Sequence, residues 1–322
     1  MISSRGIFRL VLLVSGALLL LAQFAYAIED ETVEPFNKQP RPSVEKRLIQ
    51  RNIEISDWFD SVANGLDLFM VGRRLTKEKN KTRVTLENTT YTFEGQGPVN
   101  RTSVGIYPRF PNLEKFLALK FTSYDEKENQ RKSIQSYYDP NSRKENYGAT
   151  VAWYQRFGGI RTSFEPRIDL QNKLKVSHSL AFDTYARFKN VEIKPKFEMY
   201  ASATRGPGLY QGLNWNFILG RRWNLTFLNE GDYTDRIRTY NVNNGIVLGQ
   251  ILSDSETLAY SWIFNSNNRS NYHLENYILS VSWNRIIYKR VLDFTLTPYW
   301  RFDRSNNFKG KSGAVFNLRV IF

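Results

Sequence analysis

The chain carries two histidines, His178 and His273, and no cysteine in 322 residues. Thiol catalysis, zinc–thiolate sites, iron–sulfur clusters and disulfide scaffolds are excluded, and so is any site built from several imidazoles. Hydrolysis by a serine nucleophile needs a histidine base within hydrogen-bond reach. His178 precedes Ser179, but adjacent strand residues point to opposite faces, so these two cannot form a dyad. His178 shares its face with Leu174, Val176, Leu180 and Phe182, and His273 follows the 265–272 connection near Glu275. Both read as surface or interfacial residues. No catalytic residue, metal ligand or cofactor is expected.

Two other clusters could bind anions. Thr204-Arg205-Gly206-Pro207-Gly208 is rich in glycine, but a phosphate-cradling loop opens a helix, and here a strand pattern follows. It reads as a tight loop. Arg73, Arg74, Lys77, Lys79, Lys81 and Arg83 crowd six cations into eleven residues, and the whole chain has a formal charge of +14. Charge alone would allow nucleic acid. The secretory segment at the N-terminus makes anionic headgroups, or equally a merely solvated linker, the better reading, and no nucleic acid is expected.

These residues must be positioned by an exported chain. Arg5 and Arg9 precede the apolar run Leu10–Leu21, and Ala25-Tyr26-Ala27 offers a small-x-small cleavage site. Residues 1–27 are therefore expected to be a secretory signal peptide, too short to span a membrane comfortably. Residues 28–43 form an acidic, proline-containing linker. Leu48, Ile55, Phe59, Val62, Leu66 and Phe69 recur at helical spacing, which predicts an amphipathic helix over 44–72. A basic linker fills 73–81.

From 82 to 322 the period becomes two. Ile160, Thr162, Phe164, Pro166, Ile168 and Leu170 alternate with Arg161, Ser163, Glu165, Arg167, Asp169 and Gln171. A strand with one apolar and one charged face belongs between hydrocarbon and water. The pattern returns at 191–199 and at 292–303. Fourteen candidate strands fit the span, with twelve as the alternative. They allow about 17 residues per strand and connection, against the roughly 9–11 that a tilted membrane strand needs. One set of connections is tight and the other includes the long 125–145 segment, the asymmetry of periplasmic turns and outer loops. Aromatics such as Trp153, Trp215, Trp223 and Trp300 sit where interfacial girdles belong. The fold expected is an all-β transmembrane antiparallel barrel over 82–322.

Ala314, Phe316, Leu318, Val320 and Phe322 alternate to the last residue. This resembles the terminal-strand signal of Gram-negative outer-membrane barrels, in which the final aromatic is read by the barrel-assembly machinery. Phe316, Leu318, Val320 and Phe322 are accordingly the expected assembly signal. A second resemblance rests on Ile55-Ser56-Asp57-Trp58-Phe59-Asp60, Gly72-Arg73-Arg74, Asn80-Lys81-Thr82-Arg83-Val84 and Pro111-Asn112-Leu113-Glu114-Lys115-Phe116-Leu117. It looks like an uncharacterised group of proteobacterial outer-membrane barrels with a short N-terminal helix. The resemblance implies residence in the Gram-negative outer membrane among lipid and lipopolysaccharide, and carries no activity. The His-x-Ser-Asn-Gly stretch of outer-membrane phospholipase A is absent, and so is the Asn-Pro-Ala signature of fatty-acid channels.

The charged faces give candidate lumen residues: Arg161, Arg167, Asp169, Lys194, Lys196, Asp293, Arg301 and Arg319. A mixed, mildly cationic interior fits a passive, weakly selective channel for small polar or anionic solutes, or an ion-paired barrel that conducts nothing and serves the envelope structurally. A lipid-modifying enzyme ranks third.

Overall fold

A computed structural model describes residues 82–108, 117–132, 134–141, 145–170, 174–203, 205–269, 271–288 and 291–322. The expected signal peptide, linkers and helix over 44–72 lie outside the described residues. The rest is one antiparallel sheet that closes on itself. Its strands are β1 Arg83–Phe93, β2 Gln96–Tyr107, β3 Leu117–Thr122, β4 Gly148–Phe157, β5 Ile160–Asp169, β6 Lys175–Thr184, β7 Ala186–Phe188, β8 Val191–Ser202, β9 Gly206–Leu219, β10 Trp223–Thr234, β11 Thr239–Ser253, β12 Glu256–Asn267, β13 His273–Tyr288, β14 Leu292–Asp303 and β15 Gly310–Ile321. Each strand pairs with its sequence neighbour, except that β6 and β7 pair not with each other but both with β8, and β1 pairs with β15. The barrel thus has fourteen positions, the sixth filled by β6 and β7 together.

The break at Tyr185 has a cause across the seam. The β6–β8 ladder ends at Asp183↔Lys196 and the β7–β8 ladder begins at Ala186↔Ile193, leaving Pro195 in the gap. Proline has no backbone donor, so the ladder loses a rung there. Two of the four other in-strand prolines do the same. Pro166 falls where the β4–β5 pairing skips from Thr150↔Arg167 to Trp153↔Phe164. Pro298 falls where β13–β14 skips from Ser280↔Tyr299 to Trp283↔Leu296.

Burial is inverted relative to a water-soluble sandwich. Trp153, Phe164, Ile168, Val176, Trp215, Trp262, Trp300 and Phe316 are exposed, with Val176 58% and Trp153 57% accessible. Inward-facing Ser163, Glu165, Arg167, Asp169, Glu198 and Thr297 are buried. Apolar side chains outside and polar ones inside is the burial of a membrane-spanning barrel, whose closure leaves no backbone edge for hydrocarbon to meet. No helix among the described residues is long and apolar enough to cross a membrane.

Both barrel ends of the chain meet at one rim, where Val84 and Phe322 exchange backbone hydrogen bonds at 3.2 and 2.9 Å. The tight turns at 158–159, 189–190 and 254–255 share that rim, since each follows an even-numbered circuit from β1. Gly158 and Gly220 take φ of 58° and 73°, conformations that glycine adopts without cost. The longest connection, 123–147 between β3 and β4, leaves from the opposite rim and carries helices α1 Glu126–Arg131 and α2 Gln135–Tyr138.

Candidate functional site

The barrel interior is crossed by the β3–β4 segment. Asp125 caps α1, its carboxylate accepting from Glu128 N–H at 3.0 Å. Acidic Glu126 and Glu128 in the first turn and Arg131 in the last match the helix dipole. From this short helix, side chains reach the barrel wall. Lys127 lies 2.9 Å from Glu165 on β5, and Arg131 lies 2.7 Å from Glu198 on β8. From α2, the Tyr138 hydroxyl lies 2.7 Å from Ser280 Oγ on β13, and the Tyr137 hydroxyl 3.1 Å from Thr297 Oγ1 on β14. In the fourteen-position ring β5 and β13 are seven positions apart. The segment therefore spans the lumen between opposite walls.

Its two ends are held differently. At α2 the packing is apolar and aromatic. Tyr138 packs against Tyr299, with ring centroids 4.9 Å apart and the rings tilted by 55°, and joins Tyr91, Ile278 and Val315 in a buried cluster inside the barrel. Burial pushes the Tyr138 phenol above its ordinary range. At α1 the anchors are charges. Glu198 is wholly buried, takes Arg131 on Oε1, and has Lys196 3.2 Å from Oε2. The Lys196 contact is an ion pair without hydrogen-bond alignment, because Glu198 Oε2 has no hydrogen-bond partner. The Arg131 guanidinium also lies 4.0 Å over the Tyr200 ring. Burying such charges is tolerable only because they are paired and hydrogen-bonded.

Beside α1 lies a cavity of about 910 Å³. Among the described residues its lining holds six cations, Arg83, Lys120, Lys127, Arg161, Lys194 and Lys196, and four carboxylates, Glu126, Glu165, Asp183 and Glu230. Tyr107, Tyr154 and Tyr210 line it as well, and the Tyr107 hydroxyl donates to Glu126. The volume lies within the roughly 300–1,000 Å³ of small-molecule pockets. The excess of cations gives the space a weakly positive field.

Of the eight candidate lumen residues, Arg161, Lys194 and Lys196 line this cavity. Arg161 pairs with Asp183 at 3.1 Å, and Lys194 lies 3.7 Å from Glu192. Arg167 and Asp169 pair at 2.8 Å beside it, Arg167 also donating to Thr122 at 2.7 Å. Asp293–Arg319 at 2.9 Å and Arg301–Asp303 at 2.7 Å are separate pairs, on β14 and β15, outside the cavity lining. The assembly candidates share one face. Phe316 is exposed on the outer surface, Leu318 and Val320 follow it at two-residue spacing, and Phe322 closes the β1 seam through its backbone.

His178 is exposed beside Phe164 on the outer face while Ser179 is buried, so no dyad forms. His273 Nε2 lies 3.1 Å from Glu275 Oε2. No group of metal-ligating side chains is found among the described residues. Of the glycine-containing stretch, Gly206, Pro207 and Gly208 are the first residues of β9 and Arg205 directly precedes it, so what the sequence suggested as a tight loop is largely strand. Arg205 there binds Asp232 at 2.6 Å, a structural pair. Lys127, Arg131, Tyr137 and Tyr138 were not legible as lumen residues. Their segment reads in sequence as an outer connection, although the Asp125 cap and the charges ordered along Glu126–Arg131 do announce a helix.

No protein-family model and no curated protein matches the chain. Solved structures resemble it at low identity. A loop L8 deletion mutant of OmpT, an outer membrane protein of Vibrio cholerae, is 8% identical with a TM-score of 0.49, covering 76% of this chain and 99% of that one. OmpF of Salmonella typhi in complex with daunomycin is 7% identical with a TM-score of 0.47, covering 76% and 98%. The outer membrane channel DcaP of Acinetobacter baumannii is 5% identical with a TM-score of 0.45, covering 76% and 97%. The architecture itself, a closed antiparallel barrel with an apolar exterior, stands on the strand ladders and the inverted burial.

Proposed function

We propose that the protein is a passive, weakly selective outer-membrane channel for small polar or anionic solutes, delivered by its signal peptide and inserted by the barrel-assembly machinery. One observation carries this reading: a cavity of about 910 Å³ inside the barrel, with more cations than carboxylates around it and a short helix as one wall. A charged inner surface selects by sign and leaves transport passive. The exterior keeps lipid and lipopolysaccharide as the surrounding medium, and no nucleic acid, cofactor or catalytic residue enters the reading.

The second reading is a non-conducting envelope barrel. The observation that favours it is the wall-to-wall segment with its buried Arg131–Glu198 and Tyr138–Ser280 anchors. Conductance of the purified full chain in planar bilayers separates the two. The channel reading expects discrete steps and a reversal potential on the anion side in a salt gradient. Replacing Arg161 and Lys194 by glutamate should move that potential toward cations. Silence in the bilayer from folded, inserted protein sinks the channel reading.

A further inference from the structure

The outer surface is apolar in strand after strand, and then it is not. On β1 and β2 the outward positions include Asn88, Thr90, Asn100 and Thr102. They are outward because their neighbours Thr89, Tyr91 and Ser103 are buried inside. The four form one hydrogen-bonded group. Asn88 Nδ2 donates to Asn100 Oδ1 at 2.9 Å and to Thr102 Oγ1 at 3.0 Å. Asn100 Nδ2 returns bonds to Asn88 Oδ1 and Thr90 Oγ1, both at 2.9 Å.

The group sits at the depth of the apolar belt. Asn88 pairs with Leu318, which pairs with Phe294. Thr90 pairs with Phe316, which pairs with Leu296 and in turn with Trp283. Phe316 and Leu296 are exposed outer residues. Two amides and two hydroxyls therefore stand where lipid chains would offer them no partner, an arrangement that costs free energy for every group left unmatched. The internal bonds use all four amide N–H donors. They leave the hydroxyl protons of Thr90 and Thr102 and a lone pair on each amide oxygen for a partner.

We propose that this patch of β1 and β2 is where a second copy of the chain docks in the membrane. The outward positions of both strands, Leu86 to Thr92 and Pro98 to Ile106, include no charged residue, which disfavours lipid headgroups and charged partners. Amide and hydroxyl groups carry donors and acceptors together, so the patch complements a copy of itself. Small polar side chains also let two walls approach closely, as membrane-embedded interfaces require.

The test is site-specific photo-crosslinking of the full chain in native membranes. A benzophenone amino acid is placed at position 102, or as control at position 215 on β9, six ring positions away. The expected result is an adduct of twice the chain mass from 102 and none from 215. An adduct mapped within the same chain, an adduct to a different protein, lipid adducts only, or equal dimer from both positions overturns the proposal. In parallel, Asn88→Leu with Asn100→Leu should shift the native species to a single barrel that remains heat-modifiable. Should that pair fail to insert, Thr90→Val with Thr102→Val keeps the amide pair and carries the same expectation. An oligomer that persists in a folded variant also overturns it.

Discussion

Arg131 and Glu198, 67 residues apart in sequence, form an ion pair of 2.7 Å inside the barrel, with 3% and 0% of their side chains accessible. The pair fastens α1 to β8, and its worth lies in the cost of breaking it. Removing one partner of a buried pair costs about 3–5 kcal/mol, whereas removing both often costs little. Arg131→Met should therefore free the α1 end of the segment. Backbone amide exchange over 126–138 should accelerate, and single-channel conductance should rise. Adding Glu198→Gln should recover part of the loss, the double variant being closer to wild type than Arg131→Met alone. Additive penalties would show that the two residues act independently.

Gly208 on β9 tests the other support of that pair. The Tyr200 ring lies against Gly208, inside the space a Cβ would need, and the Tyr233 carbonyl oxygen would be 2.6 Å from it. Tyr200 in turn donates to Asp232 at 2.7 Å and lies beneath Arg131. Gly208→Ala should displace the ring and destabilise the barrel by about 1–3 kcal/mol, the usual range for overpacking. Gly97→Ala, with no atom within 4 Å of its would-be Cβ, should be silent. The temperature at which each variant loses its compact gel mobility measures both. Equal midpoints would show that Tyr200 moves aside freely.

Sequence reasoning reached the strands because hydrocarbon and water impose opposite demands on alternate residues. In β5 no residue from Ile160 to Asp169 breaks that alternation; the strand begins where the pattern does and ends at Asp169, two residues before the pattern's end at Gln171. The sixth strand was harder. The run 174–187 is apolar enough to read as continuous, but its break at Tyr185 is dictated by Pro195 on the neighbouring strand, a pairing that one-dimensional periodicity does not contain. The inward path of the β3–β4 segment was hidden for a related reason. A long polar connection looks alike whether it faces solvent or a charged lumen. The distinction rests on single long-range partners, such as Glu165 for Lys127 and Ser280 for Tyr138.

Inner and outer faces can be labelled directly, because the chain has no cysteine of its own. Cysteine at Phe164, Ile168 or Leu296, exposed residues of the outer surface, should be shielded by lipid from a membrane-impermeant charged thiol reagent. Cysteine at Arg161, in the cavity wall, should react. Cysteine at Arg167 or Asp293, buried in ion pairs, should react more slowly than at 161. Labelling at 164 with none at 161 would mean that the register is off by one, which exchanges the two faces throughout.

The terminal residue makes a prediction that separates backbone from side chain. Phe322 N–H donates to Val84 O at 2.9 Å, and Val84 N–H donates to Phe322 O at 3.2 Å, so the last residue completes the β1–β15 seam at its rim. From there the ladder runs from Thr85↔Ile321 to Phe93↔Gly313. Deleting Phe322 removes two hydrogen bonds, each worth about 0.5–1.5 kcal/mol net, as well as the aromatic group. Phe322→Ala keeps both bonds and loses only the ring. If the aromatic is what the assembly machinery reads, the alanine variant should lose folded protein in the outer membrane nearly as severely as the deletion. Both should still refold from denaturant into detergent, where no machinery takes part. If closing the seam is what counts, Phe322→Ala should assemble normally in cells, and only the deletion should fail, in detergent as well as in cells. Heat-modifiability of the protein from membranes and from refolding reactions, compared for the two variants, decides between them.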